Sequence, residues 1–197
     1  MEKLHIVLEK LRSENYNASI KTEILCEKEW YQITWKDESG DECFISQDDI
    51  AIEGDKIAWF QSSKHDRHLL KVYENDISYS WVPETYNPIF GCICLLLEWY
   101  KDHLIFIYQE KHCIYICSYR DNRINHFHFH GEDIERKGNL ISYENYMGRL
   151  TDKVRLIQLP ELIELEPISK TEADKLGLIP SGLNRPGNFL SINFQGV

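Results

Sequence analysis

Four apolar segments separated by short polar turns place the strongest constraint on the fold of this chain. The segments occupy residues 90–100, 103–109, 112–119 and 124–130, and the turns between them are Lys101-Asp102, Glu110-Lys111 and Asp121-Asn122. Two-residue polar turns join antiparallel strands and fix their register. The block therefore predicts a four-stranded up-and-down meander. Residues 90–97 are also compatible with a buried helix, but their Cys and Ile residues and the nearby aromatic residues favour a strand.

The strand pattern extends on both sides of this block. Tyr31, Ile33 and Trp35 alternate with polar residues, as in a half-buried strand. Further strands are predicted over residues 43–45, 57–61, 69–73, 77–82 and 154–159. A polar turn followed by an aliphatic pair and an aromatic residue recurs at Gly54 and at Gly138, and this recurrence predicts repeated hairpins.

Helical spacing is confined to the two ends of the strand pattern. One apolar stripe predicts an N-terminal amphipathic helix within residues 1–14, and it consists of Leu4, Val7, Leu8 and Leu11. Ser169 and Glu172 fit a capping box, and Gly177 fits a helix C-cap, so a short helix is predicted over residues 169–177. Residues 181–197 contain several Gly, Pro and Asn residues and predict an extended tail.

Together these elements predict an α+β fold that is mostly antiparallel β. The up-and-down meanders over residues 20–160 are expected to form one large sheet or two packed sheets, and a sandwich, a barrel and a propeller-like sheet all fit the pattern. A chain of 197 residues can bury a core of its own without disulfides or metals. We therefore predict a single β-rich domain over residues 1–197.

Negative charge is concentrated in residues 37–55, which we name the acidic stretch. It holds eight carboxylates and no Lys or Arg, whereas the formal net charge of the whole chain is -10. Its carboxylates are Asp37, Glu38, Asp41, Glu42, Asp48, Asp49, Glu53 and Asp55. Such a concentration of charge creates a local field that attracts a basic partner and repels nucleic acid.

Two aromatic residues, Trp35 and Phe44, support the hypothesis that the acidic stretch is a partner-binding face. Both lie beside its carboxylates in the sequence, and aromatic side chains ringed by charge are typical of interaction hot spots. The alternative is that the charge run belongs to a solvated loop, which protects an edge strand from pairing. We predict that the acidic stretch, together with Trp35 and Phe44, binds a basic protein.

Bulk properties exclude several other functional classes. The pI near 5.3 and the lack of a basic stripe argue against nucleic acid as a partner. The N-terminus carries no secretory signal, and the longest apolar run, residues 92–97, is too short to span a membrane. The 6 cysteines are therefore expected to be reduced thiols in a cytoplasmic protein that does not bind membranes.

The histidines of residues 126–130 are the strongest candidates for chemistry. On a strand, His126, His128 and His130 face one way, and Phe127 and Phe129 face the other way. His126 and His128 could chelate zinc or another divalent transition metal if a neighbouring strand supplied a further ligand. The alternative is that the two phenylalanines pack in the core while the histidines face solvent.

The sequence predicts no catalytic residues, because it lacks the motifs of P-loops, dinucleotide-binding folds, serine hydrolases and zinc proteases. In size, acidity and strand content the chain is similar to bacterial toxin-immunity proteins, and this resemblance implies an inhibitor that masks a basic, nuclease-like toxin. We therefore expect a non-catalytic acidic protein-binding module without a cofactor. The alternatives are a metal-dependent hydrolase that uses His126 and His128, and a structural interaction domain with no dedicated site.

Overall fold

The structure, a computed structural model, describes residues 1–25, 28–63, 68–75, 77–82, 92–110, 112–131, 133–144 and 152–180. Contacts divide the chain into two compact units, Met1–Trp99 and Tyr100–Val197. The described elements in chain order are α1 Glu2–Ser13, β1 Ser19–Leu25, β2 Lys28–Lys36, β3 Glu42–Ser46, a 3-10 turn Gln47–Asp49, β4 Ile50–Glu53, β5 Lys56–Ser63, β6 His68–Glu74, β7 Ile77–Trp81, β8 Cys92–Tyr100, β9 His103–Glu110, β10 Cys113–Arg120, β11 Arg123–His130, β12 Ile134–Lys137, β13 Leu140–Tyr143, β14 Lys153–Gln158, β15 Ile163–Ser169 and α2 Lys170–Leu176.

The strands form three antiparallel sheets, which confirms the predicted α+β fold class. The N-terminal sheet has the order β1-β2-β3-β5-β6-β7, with β4 paired to β5. The middle sheet has the order β11-β10-β9-β8 and is the predicted four-stranded meander. The C-terminal sheet has the order β12-β13-β14-β15. Among the described residues, each strand pairs with strands that are close to it in sequence, as expected when short turns join them.

The first unit is built around the predicted apolar stripe of α1. Its stripe residues are Leu4, Val7, Leu8 and Leu11, each at most 5% exposed. They pack against inward-facing residues of the N-terminal sheet, including Ile33, Ile45 and Trp59. Burial of one such aliphatic side chain contributes roughly 1.5–3 kcal/mol. The stripe therefore fixes the position of α1 on the sheet.

The second unit packs β11 against β13 through aromatic rings. Phe127 and Phe129 lie 5.6 and 4.2 Å from Tyr143, measured between ring centroids. In the C-terminal sheet, Val154 and Leu156 form a small core with Ala173 of α2. These contacts give the second unit its own apolar interior.

Several local predictions are confirmed by backbone geometry. The Ser169 side chain accepts a hydrogen bond of 3.2 Å from the Glu172 amide, and Gly177 adopts a left-handed C-cap after α2. Gly54 and Gly138 have φ values of 60° and 59° in the turns of the two recurring hairpins, β4–β5 and β12–β13. The predicted extended tail over residues 181–197 lies outside the described residues. The division into two units does not test the prediction of a single domain, which stays a prediction.

Neither of the two described helices has both the length and the apolar character needed to cross a membrane. The cysteines whose side chains the structure describes, Cys43, Cys94, Cys113 and Cys117, form no disulfide bonds. Burial raises the pKa of the Cys43 thiol to about 11 and also raises the pKa of Cys113 and Cys117. These three thiols are therefore protonated at neutral pH and are poor nucleophiles.

Candidate functional site

A cavity of about 290 Å³ opens in the first unit beside the C-terminal end of α1, and we name it the acidic pocket. Its described lining residues are Leu11, Glu14, Tyr16, Trp35, Asp37, Glu38, Ser39, Trp59, Gln61, Leu69 and Lys71. The volume lies at the lower end of the range of roughly 300–1,000 Å³ that ligand pockets occupy. The acidic pocket is therefore large enough for one side chain or a small ligand, but not for a folded segment.

Three parts of the first unit meet at the acidic pocket. The end of α1 brings Glu14 to the pocket, and Asn15, with φ 67°, turns the chain so that Tyr16 also lines it. The turn between β2 and β3 supplies Asp37, Glu38 and Ser39. The floor comes from β5 and β6, where pairing of the two strands aligns their inward-facing residues. The pocket is therefore assembled from segments that are far apart in sequence.

Asp37 holds the turn between β2 and β3 in a fixed shape. One oxygen of its carboxylate accepts hydrogen bonds of 2.9 Å from the backbone amides of Ser39 and Asp41. The Asp37 backbone is bonded to Asp41 and Gly40, also at 2.9 Å. This arrangement is an Asx-type turn, in which the aspartate replaces backbone partners. The carboxylate of Glu38 is consequently presented from a rigid turn.

Aromatic rings form the wall and the floor of the acidic pocket. Tyr16 and Trp35 lie 6.4 Å apart with their planes tilted by 59°. Trp59 stacks on Tyr73 at 4.9 Å and donates a hydrogen bond from its indole nitrogen to Gln61. Trp35 and Trp59 are only 4% and 0% exposed, so their main role is to build the cavity. The half-buried ring of Tyr16 is the aromatic surface that a bound group can reach.

The negative charges of three carboxylates together raise the pKa of the Tyr16 hydroxyl. Burial raises the pKa of Tyr16, and the negative charges of Glu38, Glu14 and Asp37 raise the pKa further. Burial and a hydrogen bond to Glu14 likewise raise the pKa of Tyr73. A carboxylate at the end of α1 and two carboxylates of the turn therefore converge on one small volume.

The acidic pocket carries an uncompensated negative charge. Its described lining has three carboxylates and one ammonium group, that of Lys71, so its formal charge is -2. Within the part of the chain that the structure describes, no Lys or Arg forms an ion pair with Glu14, Asp37 or Glu38. The ammonium of Lys10 lies over the Tyr73 ring, 4.4 Å from the ring centroid. The negative end of the α1 dipole adds to the attraction of the pocket for a cation.

The fold divides the acidic stretch instead of gathering it into one face. Glu42 forms an ion pair of 3.4 Å with Lys21, and Glu53 lies 3.8 Å from Lys56. Asp48 and Asp49 are half-buried in the 3-10 turn, Asp41 is half-buried, and Asp55 is exposed in the turn between β4 and β5. Only Asp37 and Glu38 line the acidic pocket.

The two predicted aromatic anchors lie on opposite faces of the N-terminal sheet. Trp35 is paired with Cys43, and both belong to the core beneath α1. Phe44 is the next residue along β3, so its half-buried side chain points to the other face. The structure therefore brings Trp35, but not Phe44, to the pocket.

The predicted histidine face is present on β11. His126, His128 and His130 are exposed, while Phe129 is buried and Phe127 half-buried. The rings of His126 and His128 lie 6.3 Å apart, and the His128 ring also stacks on Tyr115 at 5.5 Å. Among the described residues, no group of three or more His, Cys, Asp or Glu side chains could hold a metal ion. Metal binding by His126 and His128 stays a prediction.

Sequence reasoning missed six polar or aromatic residues of the acidic pocket, namely Glu14, Tyr16, Ser39, Trp59, Gln61 and Lys71. One signal was present, because Glu14 directly follows α1 and therefore lies at the negative end of that helix. Comparison of the chain with protein-family models, with curated proteins and with solved structures gave no match. The function of the pocket therefore has to be inferred from its own geometry and charge.

Proposed function

We propose that this chain is a non-catalytic acidic protein-binding module that docks on a basic partner protein through the acidic pocket. The observation that carries the proposal is the convergence of Glu14, Asp37 and Glu38 on one cavity whose wall includes the ring of Tyr16. An inhibitor or immunity protein that masks a basic toxin in the cytoplasm is the kind of protein that would use such a site.

The charge of the pocket supports binding in preference to a purely structural role. Asp37 serves the fold through its bonds to backbone amides, whereas no described Lys or Arg forms an ion pair with Glu38, and like charges gathered in one site repel each other. A basic partner would supply the missing positive charge and would be attracted from a distance by the same field. The aromatic ring of Tyr16 would then hold the cation at short range.

The proposal can be tested with a short peptide of alternating Gly and Arg and with a matched peptide of alternating Gly and Glu. The affinity of each peptide for the full chain would be measured by isothermal titration calorimetry at several salt concentrations. We expect the arginine peptide to bind, with affinity that falls as salt rises, and the glutamate peptide not to bind.

Two double variants with equal net charge distinguish binding at the pocket from attraction by the overall negative charge of the chain. Glu14→Gln with Glu38→Gln should weaken binding of the arginine peptide on the order of tenfold or more, because charge-assisted hydrogen bonds are lost. Asp55→Asn with Glu161→Gln removes the same charge from exposed positions outside the pocket lining, and it should change the affinity little. Equal losses in both double variants, or no binding by the unaltered chain, would exclude the pocket as the docking site.

A further inference from the structure

The histidine face of β11, formed by His126, His128 and His130, is exposed at one edge of the middle sheet. In the sheet order β11 comes last, and among the described strands it pairs only with β10. All three histidines are exposed, and alternation along the strand places them on the same side. The strand contains no Asp, Glu or Lys. Imidazole rings are therefore the main chemical groups that this side of β11 offers to another molecule.

His126 and His128 form a pair of rings at a spacing that a zinc ion can bridge after a small movement. Their ring centroids lie 6.3 Å apart, and their planes differ by 28°. Zn–N bonds of about 2.0–2.1 Å at tetrahedral angles place the centroids of two histidine ligands roughly 5 Å apart. Exposed side chains change rotamer readily, and stacking on Tyr115 at 5.5 Å already orients the His128 ring. The pair can therefore supply two ligands to one zinc ion.

The described part of the chain does not complete a zinc site around this pair. No group of three or more His, Cys, Asp or Glu side chains in that part could hold a metal ion. Cys117 is paired with His126 across the sheet, but it is 0% exposed, and burial raises the pKa of its thiol. The thiolate form that binds metals is therefore not available at neutral pH. Since structural zinc sites have four protein ligands, the described residues supply half of such a site.

We infer that a zinc ion bridges two copies of this chain, with His126 and His128 of each copy as its four ligands. A second copy presents the same pair of rings, and a two-fold contact brings identical surfaces together. Four imidazole nitrogens are a ligand set that suits zinc and closes its tetrahedral coordination. The ion also places positive charge between two chains that each have a net charge of -10 and otherwise repel each other.

This inference concerns the second unit and does not depend on the acidic pocket. The bridge requires only that the histidine faces of two copies approach each other, because the ligands are side chains and no backbone pairing is involved. Each copy contributes the same two rings, so one zinc ion serves two chains. The ratio of zinc to chain therefore distinguishes the bridge from a site within one chain, which would bind one ion per chain.

Sedimentation velocity tests the inference on the full chain, first freed of metal with a chelator and then supplied with zinc chloride alone. We expect half an equivalent of zinc per chain to convert a species of 23.4 kDa into one of twice that mass. Excess chelator should reverse the change, and isothermal titration calorimetry should give one zinc ion for two chains. A mass that does not increase with zinc would overturn the inference, and so would one zinc ion bound per chain.

Asparagine substitutions identify the ligands. His126→Asn and His128→Asn should each abolish the increase in mass with zinc, because each substitution removes two of the four ligands from the bridge. His130→Asn changes the same residue type on the same face and should leave pairing unchanged, so it is the matched control. All three positions are exposed, and circular dichroism would report whether each variant keeps its fold.

NMR of the imidazole signals gives a second measurement, which needs no variant for its main result. Zinc should shift the signals of His126 and His128 and leave the signal of His130 nearly unchanged. An equal response of all three histidines would overturn the assignment of the ligands. An increase in mass that persists in both His126→Asn and His128→Asn would likewise place the zinc-dependent contact elsewhere on the chain.

Discussion

The two units each place a glutamate near a tyrosine, but only in the second unit does the chain bond a cation to that glutamate. There one oxygen of the Glu164 carboxylate accepts hydrogen bonds from the Tyr143 hydroxyl and the Arg155 guanidinium, and we name these three residues the closed triad. In the first unit Glu14 lines the acidic pocket with two further carboxylates and forms no ion pair with a described Lys or Arg. A bonded cation thus makes a carboxylate part of the fold, whereas carboxylates without one leave the pocket with a net negative charge.

The closed triad also shows how little of its energy comes from the ion pair. Arg155 and Glu164 have side chains that are 50% and 45% exposed, and exposed ion pairs contribute only about 0–1 kcal/mol. The Tyr143 ring is 1% exposed and contacts Phe127 and Phe129. We therefore expect the rings to dominate stability in both units and the charges to dominate binding.

Removal of the rings is the largest expected effect and should be similar in the two units. Tyr73→Ala and Tyr143→Ala should each lower the free energy of unfolding by about 3–5 kcal/mol, as for other buried aromatic residues. Tyr73→Phe and Tyr143→Phe keep the rings and should cost only about 0.5–1.5 kcal/mol, the contribution of a hydrogen bond. Urea unfolding measures all four values. Equal costs for the Ala and Phe variants would show that the hydroxyls, not the rings, stabilise these clusters.

Alkaline pH should destabilise both units. The pKa of Cys43 is raised from 9.0 to about 11, and that of Tyr143 from 10.0 to about 12. In the second unit burial also raises the pKa of Cys113 and Cys117 above their ordinary value of 9.0. In each case the folded protein holds the proton more tightly than the unfolded chain does, so the resulting stability is complete below the ordinary pKa and is lost at about 1.4 kcal/mol per pH unit above it. Loss should therefore begin near pH 9 in both units, and Tyr143 should add to it above pH 10.

Two variants attribute the alkaline losses to these groups. Cys43→Ala should reduce the loss of stability between pH 9 and 11, and Tyr143→Phe should reduce the loss between pH 10 and 12. The free energy of unfolding would be measured by urea titration at each pH. Unchanged pH profiles in both variants would assign the alkaline sensitivity to other groups.

Adding a guanidinium to the acidic pocket and removing the one in the closed triad should have opposite effects on the stability of the two units. Ser39 lines the acidic pocket on the turn between β2 and β3, so Ser39→Arg places a guanidinium at the cavity. This variant should gain up to about 1 kcal/mol in stability and bind the arginine peptide more weakly. Arg155→Met should cost the second unit a similar amount. A Ser39→Arg protein that binds the peptide as tightly as before would contradict docking at the acidic pocket.

Neutralisation of one carboxylate should change the stability least, and the sign of the change should differ between the acidic pocket and the closed triad. Glu38→Gln relieves repulsion in the acidic pocket and should stabilise the first unit by about 0.3–0.5 kcal/mol. Glu164→Gln removes the partner of Arg155 and should destabilise the second unit by a comparable amount. Thermal unfolding of the two variants, compared with the unaltered chain, tests the signs. Destabilisation by both substitutions would mean that the pocket carboxylates serve the fold.

Local sequence patterns predicted most of the fold. The stripe of α1, the meander from β8 to β11 and the capped helix α2 follow from residue periods and turn chemistry that act over a few positions. The strand β15 was missed, although Ile163 and Leu165 alternate with glutamates, because Pro167 weakens a strand prediction. β15 is an edge strand of its sheet, which is where proline is tolerated.

The acidic pocket was only partly predictable. Asp37, Glu38 and Trp35 were proposed from the density of acidic and aromatic residues in one short window. Glu14 lies outside that window, and it reaches the pocket only because α1 packs on the sheet. Phe44 was grouped with Trp35 by nearness in sequence, whereas strand pairing sends the two side chains to opposite faces. Long-range packing, which no local pattern encodes, decided which carboxylates meet.

The division of the acidic stretch leaves exposed carboxylates at two separate places in the first unit, Glu38 at the acidic pocket and Asp55 in the turn between β4 and β5. Gln61 lines the pocket and Lys56 follows Asp55, so the two places lie about 17 Å apart along β5. The screening length is about 8 Å at physiological salt and about 30 Å near 0.01 M. The negative fields of the two places therefore overlap in dilute buffer and act separately at physiological salt.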